Sequence, residues 1–161
     1  RLFYISPIGT IEIVGTAETI LSVEFARAGR AARDKKIPDS LQECRRQLDE
    51  YFKGKRQSFS LPLRLRGTEF QKKVWRTLKE IPYGHIWSYK DVARAIGREK
   101  AVRAVGGANH RNNFTIVVPC HRVIGSDGGL VGYGGSLWRK RWLLNHERKV
   151  REKTGKRKRD D

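Results

Sequence analysis

The chain has little of what disulfide-bonded, metal-binding or membrane proteins need. Only 2 of its 161 residues are cysteine, and Cys44 and Cys120 cannot build a disulfide scaffold. The four histidines lack the close spacing to cysteine of a structural zinc site, so we expect no metal. No apolar run approaches the roughly 18 residues of a membrane-spanning helix. These absences indicate a protein of a reducing, intracellular compartment that does not enter a membrane.

Acidic residues are also scarce. The chain carries 35 Lys and Arg against 17 Asp and Glu, which gives a net charge of +18. An excess of this size favours a polyanionic partner, with nucleic acid ahead of an anionic membrane surface. A basic surface that serves only solubility is the blander alternative. Hydrophobic residues make up 38% of the chain, which is enough for a packed core.

Residues 1–66 predict a small α/β domain. Apolar segments at residues 2–5, 10–14 and 20–25 are separated by turn residues and indicate strands. Residues 59–65 predict a further strand, at an edge because of Pro62. From Asp39 to Gly54 apolar residues recur at helical spacing. Cys44 lies on that apolar stripe, so we interpret it as a core residue without a chemical role.

Residues 67–147 predict a mainly helical domain, so the fold class is α+β. Residues 68 and 88 each open a helix with a capping-box pattern, and a third helix is predicted at residues 100–108. The second and third helices are joined around Gly97, as in a helix-turn-helix. A last helix is predicted at residues 137–145, with Trp138 and Trp142 in the core. Residues 148–161 are expected to form a mobile basic tail, with a helix at its start as one option, that either contacts phosphates or is only solvated.

The third of these helices has almost no bulk. Ala101, Ala104, Gly106 and Gly107 are all small, and paired glycines destabilise a helix. Two interpretations stay open. Either the helix packs closely inside the core, or it lies against a nucleic-acid groove with Arg103 as its one long side chain.

The most informative step is Pro119-Cys120-His121-Arg122, which follows an apolar run at residues 116–118 where a strand is expected to end. A thiol attacks as its thiolate, which nearby positive charge or a base promotes. His121 is the candidate base, but neighbouring side chains on a strand point to opposite faces. Contact therefore needs a bend after Pro119 or a bridging water. Glu147 is the acidic candidate to fix the imidazole.

These residues resemble a known family. Pro119-Cys120-His121-Arg122-Val123 is similar to the active-site signature of the O6-alkylguanine-DNA alkyltransferases. Further similar blocks lie in the same order between Gly67 and Glu147, about half of the chain. They are Ser88-Tyr89, Arg103-Ala104-Val105-Gly106-Gly107, Asn113, Gly132-Tyr133-Gly134-Gly135 and Trp142-Leu143-Leu144. Residues 1–66 resemble the family only in layout.

The resemblance implies DNA repair by direct reversal. The family binds duplex DNA in the minor groove through its helix-turn-helix and flips the damaged nucleotide into a pocket. It then moves the alkyl group from guanine O6 to a cysteine, once per molecule and without a cofactor. We therefore expect the protein to be a monomer and its partner to be alkylated duplex DNA. It would work in the cytoplasm at the nucleoid, or in the nucleus if the source is eukaryotic.

The resemblance also implies residue roles. Cys120 would attack from the mouth of a cavity sized for an extruded purine, its thiol deprotonated or nearly so. His121 would act as base through a water, Glu147 would orient His121, and Asn113 would brace the backbone near the cysteine. The expected substrate contacts are Tyr89, Val123, Tyr133, Gly134 and Gly135. The expected DNA contacts are Arg103, which fills the gap left in the base stack, with Ala101, Ala104, Gly106, Gly107 and Arg122.

Two alternatives belong to other classes. A binding-only relative would recognise alkylated DNA and recruit other repair factors, but such relatives replace the cysteine, and Cys120 is present. An unrelated thiol hydrolase using Cys120 and His121 would explain neither the charge of +18 nor the helix of small residues.

Overall fold

The computed structural model describes residues 1–27, 36–130, 133 and 136–160, with side chains as far as residue 155. The chain divides into two compact units. The first unit comprises Arg1–Arg66 and Asn113–Val117, and the second comprises Gly67–Asn112 and Val118–Asp161. The predicted α+β class is confirmed.

The first unit is a three-stranded antiparallel sheet with one helix. Strands β1 (Leu2–Ser6), β2 (Gly9–Gly15) and β3 (Ile20–Phe25) pair in chain order. Helix α1 (Asp39–Phe52) packs on the sheet with its apolar stripe. The core consists of fully buried side chains that alternate along the strands or recur along the helix, among them Ile11, Ile13, Ile20, Val23, Leu41, Cys44 and Leu48. The interpretation of Cys44 as a core residue is therefore confirmed.

The strand predicted at residues 59–65 does not form. Only Leu63 makes a bridge to Ile20, and a second isolated bridge joins Val23 to Phe114. The Val23 N–H donates to the Asn113 carbonyl at 2.8 Å, and Thr115 N–H donates back to Val23 at 2.9 Å. Short bridges, rather than a fourth strand, thus satisfy the outer edge of β3.

The second unit begins with three helices whose starts are fixed by local chemistry. Helices α2 (Glu69–Leu78) and α3 (Tyr89–Ala95) both open with complete capping boxes, as predicted. Gly97, with φ of +74°, ends the turn after α3 in the left-handed conformation that favours glycine. Helix α4 (Val102–His110) follows and completes the helix-turn-helix. The Trp75 indole N–H donates to the Ala108 carbonyl at 2.8 Å and ties α2 to α4.

The rest of the second unit consists of a short parallel pair and a long helix. Strand β4 (Trp87–Ser88) pairs with β5 (Val123–Ile124), and α5 runs over Leu137–Asp160. Residues 148–160 of the predicted basic tail continue α5 as a helix, and the mobility of the tail stays a prediction. Arg, Lys and Glu are good helix formers, and growth from a packed helix needs no new nucleus. The prediction of Trp138 as a core residue is wrong, since its side chain is 53% exposed. No helix among the described residues could cross a membrane.

Candidate active site

Cys120 begins a single turn of 3-10 helix, Cys120–Arg122, that leads into β5. The strand predicted at residues 116–118 is absent, because Ile116 has a φ of +72° and the segment turns instead. The Arg122 N–H donates to the Pro119 carbonyl at 3.0 Å. The bend after Pro119 that the Cys-His step requires is therefore present.

His121, Arg122 and Glu147 form a buried network. His121 Nε2 lies 2.5 Å from Glu147 Oε2. Arg122 donates to the same carboxylate from Nε at 2.8 Å and from Nη2 at 3.2 Å. The Gly84 N–H, in the turn after α2, adds a fourth hydrogen bond at 3.1 Å. One carboxylate thus joins the turn after α2, the cysteine turn and α5.

This network fixes the protonation of its members. Burial alone would raise the pKa of the Glu147 carboxyl, but the hydrogen bonds from His121 and Arg122 and the charge of Arg122 outweigh it and lower that pKa. Burial lowers the pKa of His121, although Glu147 acts in the opposite direction. Glu147 is therefore ionised and His121 neutral at neutral pH.

The tautomer of His121 follows. An ionised carboxylate can only accept, so His121 must carry its proton on Nε2. Nδ1 is then left with a lone pair, and it has no hydrogen-bond partner among the described residues. The imidazole is prepared to accept a proton at Nδ1.

Arg122 does not fit its predicted DNA contact. Its side chain is only 6% exposed, and its Nη1 donates to the Ile81 carbonyl at 2.8 Å. The guanidinium also lies over the Tyr83 ring, 5.5 Å from the centroid. Because every nitrogen of the guanidinium faces protein groups, Arg122 is a residue of the buried network. The prediction of a DNA contact is corrected accordingly.

The thiol of Cys120 is buried, with 6% of the residue exposed. Burial raises its pKa, while Asn112, Lys140 and the backbone N–H groups of the turn act in the opposite direction. The thiol is therefore protonated at rest, contrary to the expectation of a sulfur that is already deprotonated or nearly so. Attack requires that a base remove the proton.

The asparagine beside the cysteine is Asn112, not the predicted Asn113. Asn112 Nδ2 donates to the Val118 carbonyl at 2.9 Å, and the same side chain hydrogen-bonds the Cys120 sulfur. Asn113 belongs to the first unit, where its carbonyl accepts from Val23. Because the two asparagines are adjacent, a shift of one residue in matching the family's asparagine to this sequence selects the wrong one.

Lys140 is a site residue that the sequence analysis missed. Its side chain is fully buried, and Nζ donates to the Val123 carbonyl at 2.5 Å. Its charge acts on Cys120. A signal existed, because Lys140 precedes Glu147 by two helical turns and so lies on the same face of α5.

Tyr89 joins the helix-turn-helix to the cysteine. It is the first residue of α3, directly after β4, which pairs with β5. Burial and then the charge of Cys120 raise the pKa of Tyr89, while a hydrogen bond with Asn109 lowers it. Asn109 Nδ2 also lies 3.4 Å from the Cys120 carbonyl. Asn109 thus interacts with both Tyr89 and Cys120, and the substrate contact of Tyr89 stays a prediction.

Two further predicted substrate residues are close to the cysteine. Val123 is fully buried one residue after the turn. Burial and the charge of Cys120 raise the pKa of Tyr133, whose buried hydroxyl has no partner among the described residues. Gly134 and Gly135 lie outside the described residues, so their predicted place in the pocket wall stays a prediction.

Helix α4 presents its small residues to solvent. Arg103, Ala104 and Gly107 are exposed, whereas Ala101 and Gly106 are half-buried. A Cβ built on Gly107 would meet nothing within 4 Å, and one on Gly106 would meet only the Tyr89 ring at 4.0 Å. Close packing in the core therefore does not explain the paired glycines, and the groove interpretation is favoured.

Comparison with protein families covers both parts of the chain. The model for the 6-O-methylguanine DNA methyltransferase DNA binding domain matches residues 69–149, and the model for that protein's ribonuclease-like domain matches residues 2–65. The chain belongs to the 6-O-methylguanine DNA methyltransferase family. The resemblance on which the sequence analysis rested is confirmed.

Individual members of the family are similar over most of their length. A constitutive methylated-DNA–protein-cysteine methyltransferase of Bacillus subtilis is 52% identical over 127 residues, covering 78% of this chain and 76% of the relative. A methylated-DNA–protein-cysteine methyltransferase of Methanosarcina acetivorans is 46% identical over 149 residues, covering 88% and 94%. The crystal structure of Mycobacterium tuberculosis OGT in complex with DNA matches with a TM-score of 0.82 at 41% identity, covering 92% of each chain.

Proposed function

We infer that the protein is a methylated-DNA–protein-cysteine methyltransferase, a DNA-repair protein that reverses alkylation directly. Its substrate is duplex DNA with an alkyl group on guanine O6, and the acceptor is Cys120. The chain belongs to this family, and the observation that carries the proposal is the position of its Cys120. This cysteine lies beside Tyr89 and next to the buried network of His121, Arg122 and Glu147. The protein would act where genomic DNA is, at a bacterial nucleoid or in a nucleus.

Transfer begins with the removal of the thiol proton. Because burial raises the pKa of Cys120, the sulfur needs a base at the moment of attack. His121 Nδ1 takes the proton through a bridging water, and Glu147 stabilises the imidazolium that results. The charge of Lys140 and the Asn112 amide stabilise the thiolate until it reacts.

The thiolate then displaces guanine. A bond forms between the sulfur and the alkyl carbon, and the bond from that carbon to O6 breaks, leaving the electron pair on the base. Tyr89 donates a hydrogen bond to the guanine, which favours the departing anion. The thioether is not hydrolysed, so each molecule acts once.

Arg122 has a positioning role in this scheme. Its two hydrogen bonds hold the plane of the Glu147 carboxylate, and its charge keeps that carboxylate ionised without depending on His121. Glu147 can then hold the proton of His121 on Nε2 before the reaction and balance the imidazolium after it.

DNA binding is assigned to α4 and the helix-turn-helix. The exposed small residues Ala104 and Gly107 allow α4 to approach the groove closely. The residues Ala101 and Gly106 are also small, so they add little bulk to this surface of the helix. Arg103 enters the stack where the nucleotide has left, and the duplex then holds the lesion at Cys120.

The proposal is tested by incubation with an excess of duplex that carries one O6-methylguanine. The intact mass of the protein should rise by one methyl group and no more, and the DNA should lose the lesion in equal amount. Repeated turnover would support a hydrolase, and tight binding without a gain in mass would support a binding-only protein.

The role of Arg103 is tested separately. Arg103→Ala should slow repair in duplex DNA by at least about tenfold, since flipping costs a few kcal/mol, but spare the reaction with free O6-benzylguanine. Arg111→Ala, which removes an exposed charge at the end of the same helix, is the matched control. Equal losses on both substrates would contradict a role in flipping.

A further inference from the structure

The proposed reaction uses only the first half of α5. Its buried residues Lys140, Leu143 and Glu147 follow each other at intervals of three and four, which is one helical face. After Glu147 this buried stripe ends, because Val150 is half-buried and Thr154 is exposed. Beyond Glu147, the aliphatic part of the Arg151 side chain still packs on Gly84. A Cβ built on Gly84 would lie 2.8 Å from Arg151 Cδ.

The second half of α5 is strongly cationic. Arg148, Lys149, Arg151 and Lys153 are all exposed, and Glu152 is the one acidic residue among residues 148–155. None of these four cations forms an ion pair within the described residues. We call these four residues the α5 cationic face.

The helix itself does not account for this charge. Arg148 and Arg151 are three residues apart, and Lys149 and Lys153 are four apart, so like charges are neighbours and repel. The helix dipole favours cations only in the last turn, whereas this helix continues to Asp160. Glu152, four residues after Arg148 and three after Lys149, offsets only part of this repulsion, and a polyanion would remove the rest.

The chemistry of the face selects the kind of polyanion. A helix that lies on a membrane surface needs a broad apolar face, but Val150 is the one large apolar residue between 148 and 155. Phosphates of a nucleic-acid backbone require only accessible cations. The net charge of +18 and the proposed DNA repair both favour duplex DNA.

We propose that the α5 cationic face binds the phosphate backbone of duplex DNA and adds affinity that does not depend on sequence or on the lesion. This inference rests on the proposed function, since it assumes that DNA is the ligand of the second unit. It assigns to α5 a second role, separate from positioning His121 through Glu147.

The test is the salt dependence of binding to a short, undamaged duplex. Arg148→Gln, Lys149→Gln and Lys153→Gln are combined, because glutamine preserves helix propensity and Arg151 is left on Gly84. Three lost phosphate contacts should lower the slope of log K against log salt by about 2.7. The affinity advantage of the parent should therefore shrink by about 40-fold between 50 and 200 mM salt.

A matched variant controls for net charge. Arg45→Gln, Lys55→Gln and Arg64→Gln remove three exposed cations from the first unit. The inference predicts a much smaller change in slope for this variant. Equal changes in the two variants, or an unchanged slope in the α5 variant, would overturn it. So would selective loss of binding to phosphatidylserine vesicles with DNA binding intact.

The reaction separates this inference from the proposed function. The α5 variant should react with free O6-benzylguanine at the parent rate, which also shows that it is folded. If the parent protein gains no methyl group from the lesion duplex, the proposed function fails. If it gains one but the slopes of parent and variant agree, only the role of the α5 cationic face fails.

Discussion

In the first unit the ionised side chains that pair do so at the surface. Arg46 pairs with Glu43 and Glu50 on the open side of α1, and Lys53 pairs with Asp49. In the second unit the main ion pair is internal: Arg122 meets Glu147 out of contact with water, and neutral His121 donates a hydrogen bond to the same carboxylate. Buried ion pairs are a poor source of stability, because desolvation offsets their attraction. Among the described residues the buried ion pair lies in the second unit, which indicates that this unit is built for chemistry.

The two cysteines show the same contrast. Burial and, as a smaller cause, the charge of the neighbouring Glu43 together raise the pKa of Cys44 to about 12. Burial also raises the pKa of Cys120, but Asn112 and Lys140 oppose that effect. Cys44 therefore has only surroundings that keep its proton, whereas Cys120 has groups that stabilise the thiolate.

The largest expected effect is on the free energy of unfolding, and it distinguishes the buried ion pair from the exposed ones. Arg122→Gln leaves the buried carboxylate without its main partner and should lower the free energy of unfolding by about 3 to 5 kcal/mol. Arg46→Gln breaks exposed pairs and should lower it by at most about 1 kcal/mol. Urea unfolding at neutral pH measures both. Similar losses in the two variants would remove the distinction between the units.

Next in size is the effect of Glu147 on the reaction. Glu147→Gln keeps the shape of the side chain but removes the charge that stabilises the His121 imidazolium. The single-turnover rate of methyl transfer should fall by on the order of 100-fold. Glu50→Gln, at a half-buried position of α1 in the first unit, is the control and should react like the parent. A Glu147→Gln rate within twofold of the parent would exclude the proposed relay.

The smallest expected effect concerns pH, and it sharpens the comparison because the first unit contains no histidine. Burial depresses the pKa of His121 in the folded state, and Glu147, Arg122 and Lys140 are the charged groups that act on it. Below about pH 6.5 the unfolded chain therefore binds a proton that the folded chain does not. The free energy of unfolding should fall with falling pH by at most about 1.4 kcal/mol per unit in this window.

The variant His121→Gln should flatten that dependence, whereas His85→Gln, at an exposed position, should preserve it. Unfolding curves between about pH 5 and 7 decide between the two outcomes. A parent protein whose stability is constant over this range would show that His121 is not held neutral by burial.

Local signals in the sequence predicted much of the fold. The capping boxes at Thr68 and Ser88 contain their own hydrogen-bonding partners, so the starts of α2 and α3 could be inferred from four residues each. The failures depend on distant contacts. The sequence predicts Arg122 as a DNA contact, and only the fold shows that it meets Glu147, 25 residues later. Lys140 was missed because its partner is a carbonyl, which any residue offers.

The central claim is that the second unit, and within it Cys120 alone, receives the alkyl group. It is tested most directly by peptide mapping after reaction with an O6-methylguanine duplex, with Cys120→Ser and Cys44→Ser compared against the parent. The account predicts one methyl group on Cys120 in the parent and in Cys44→Ser, and none in Cys120→Ser, which leaves the lesion in place. A methyl group on Cys44, or loss of the lesion with Cys120→Ser, would contradict it.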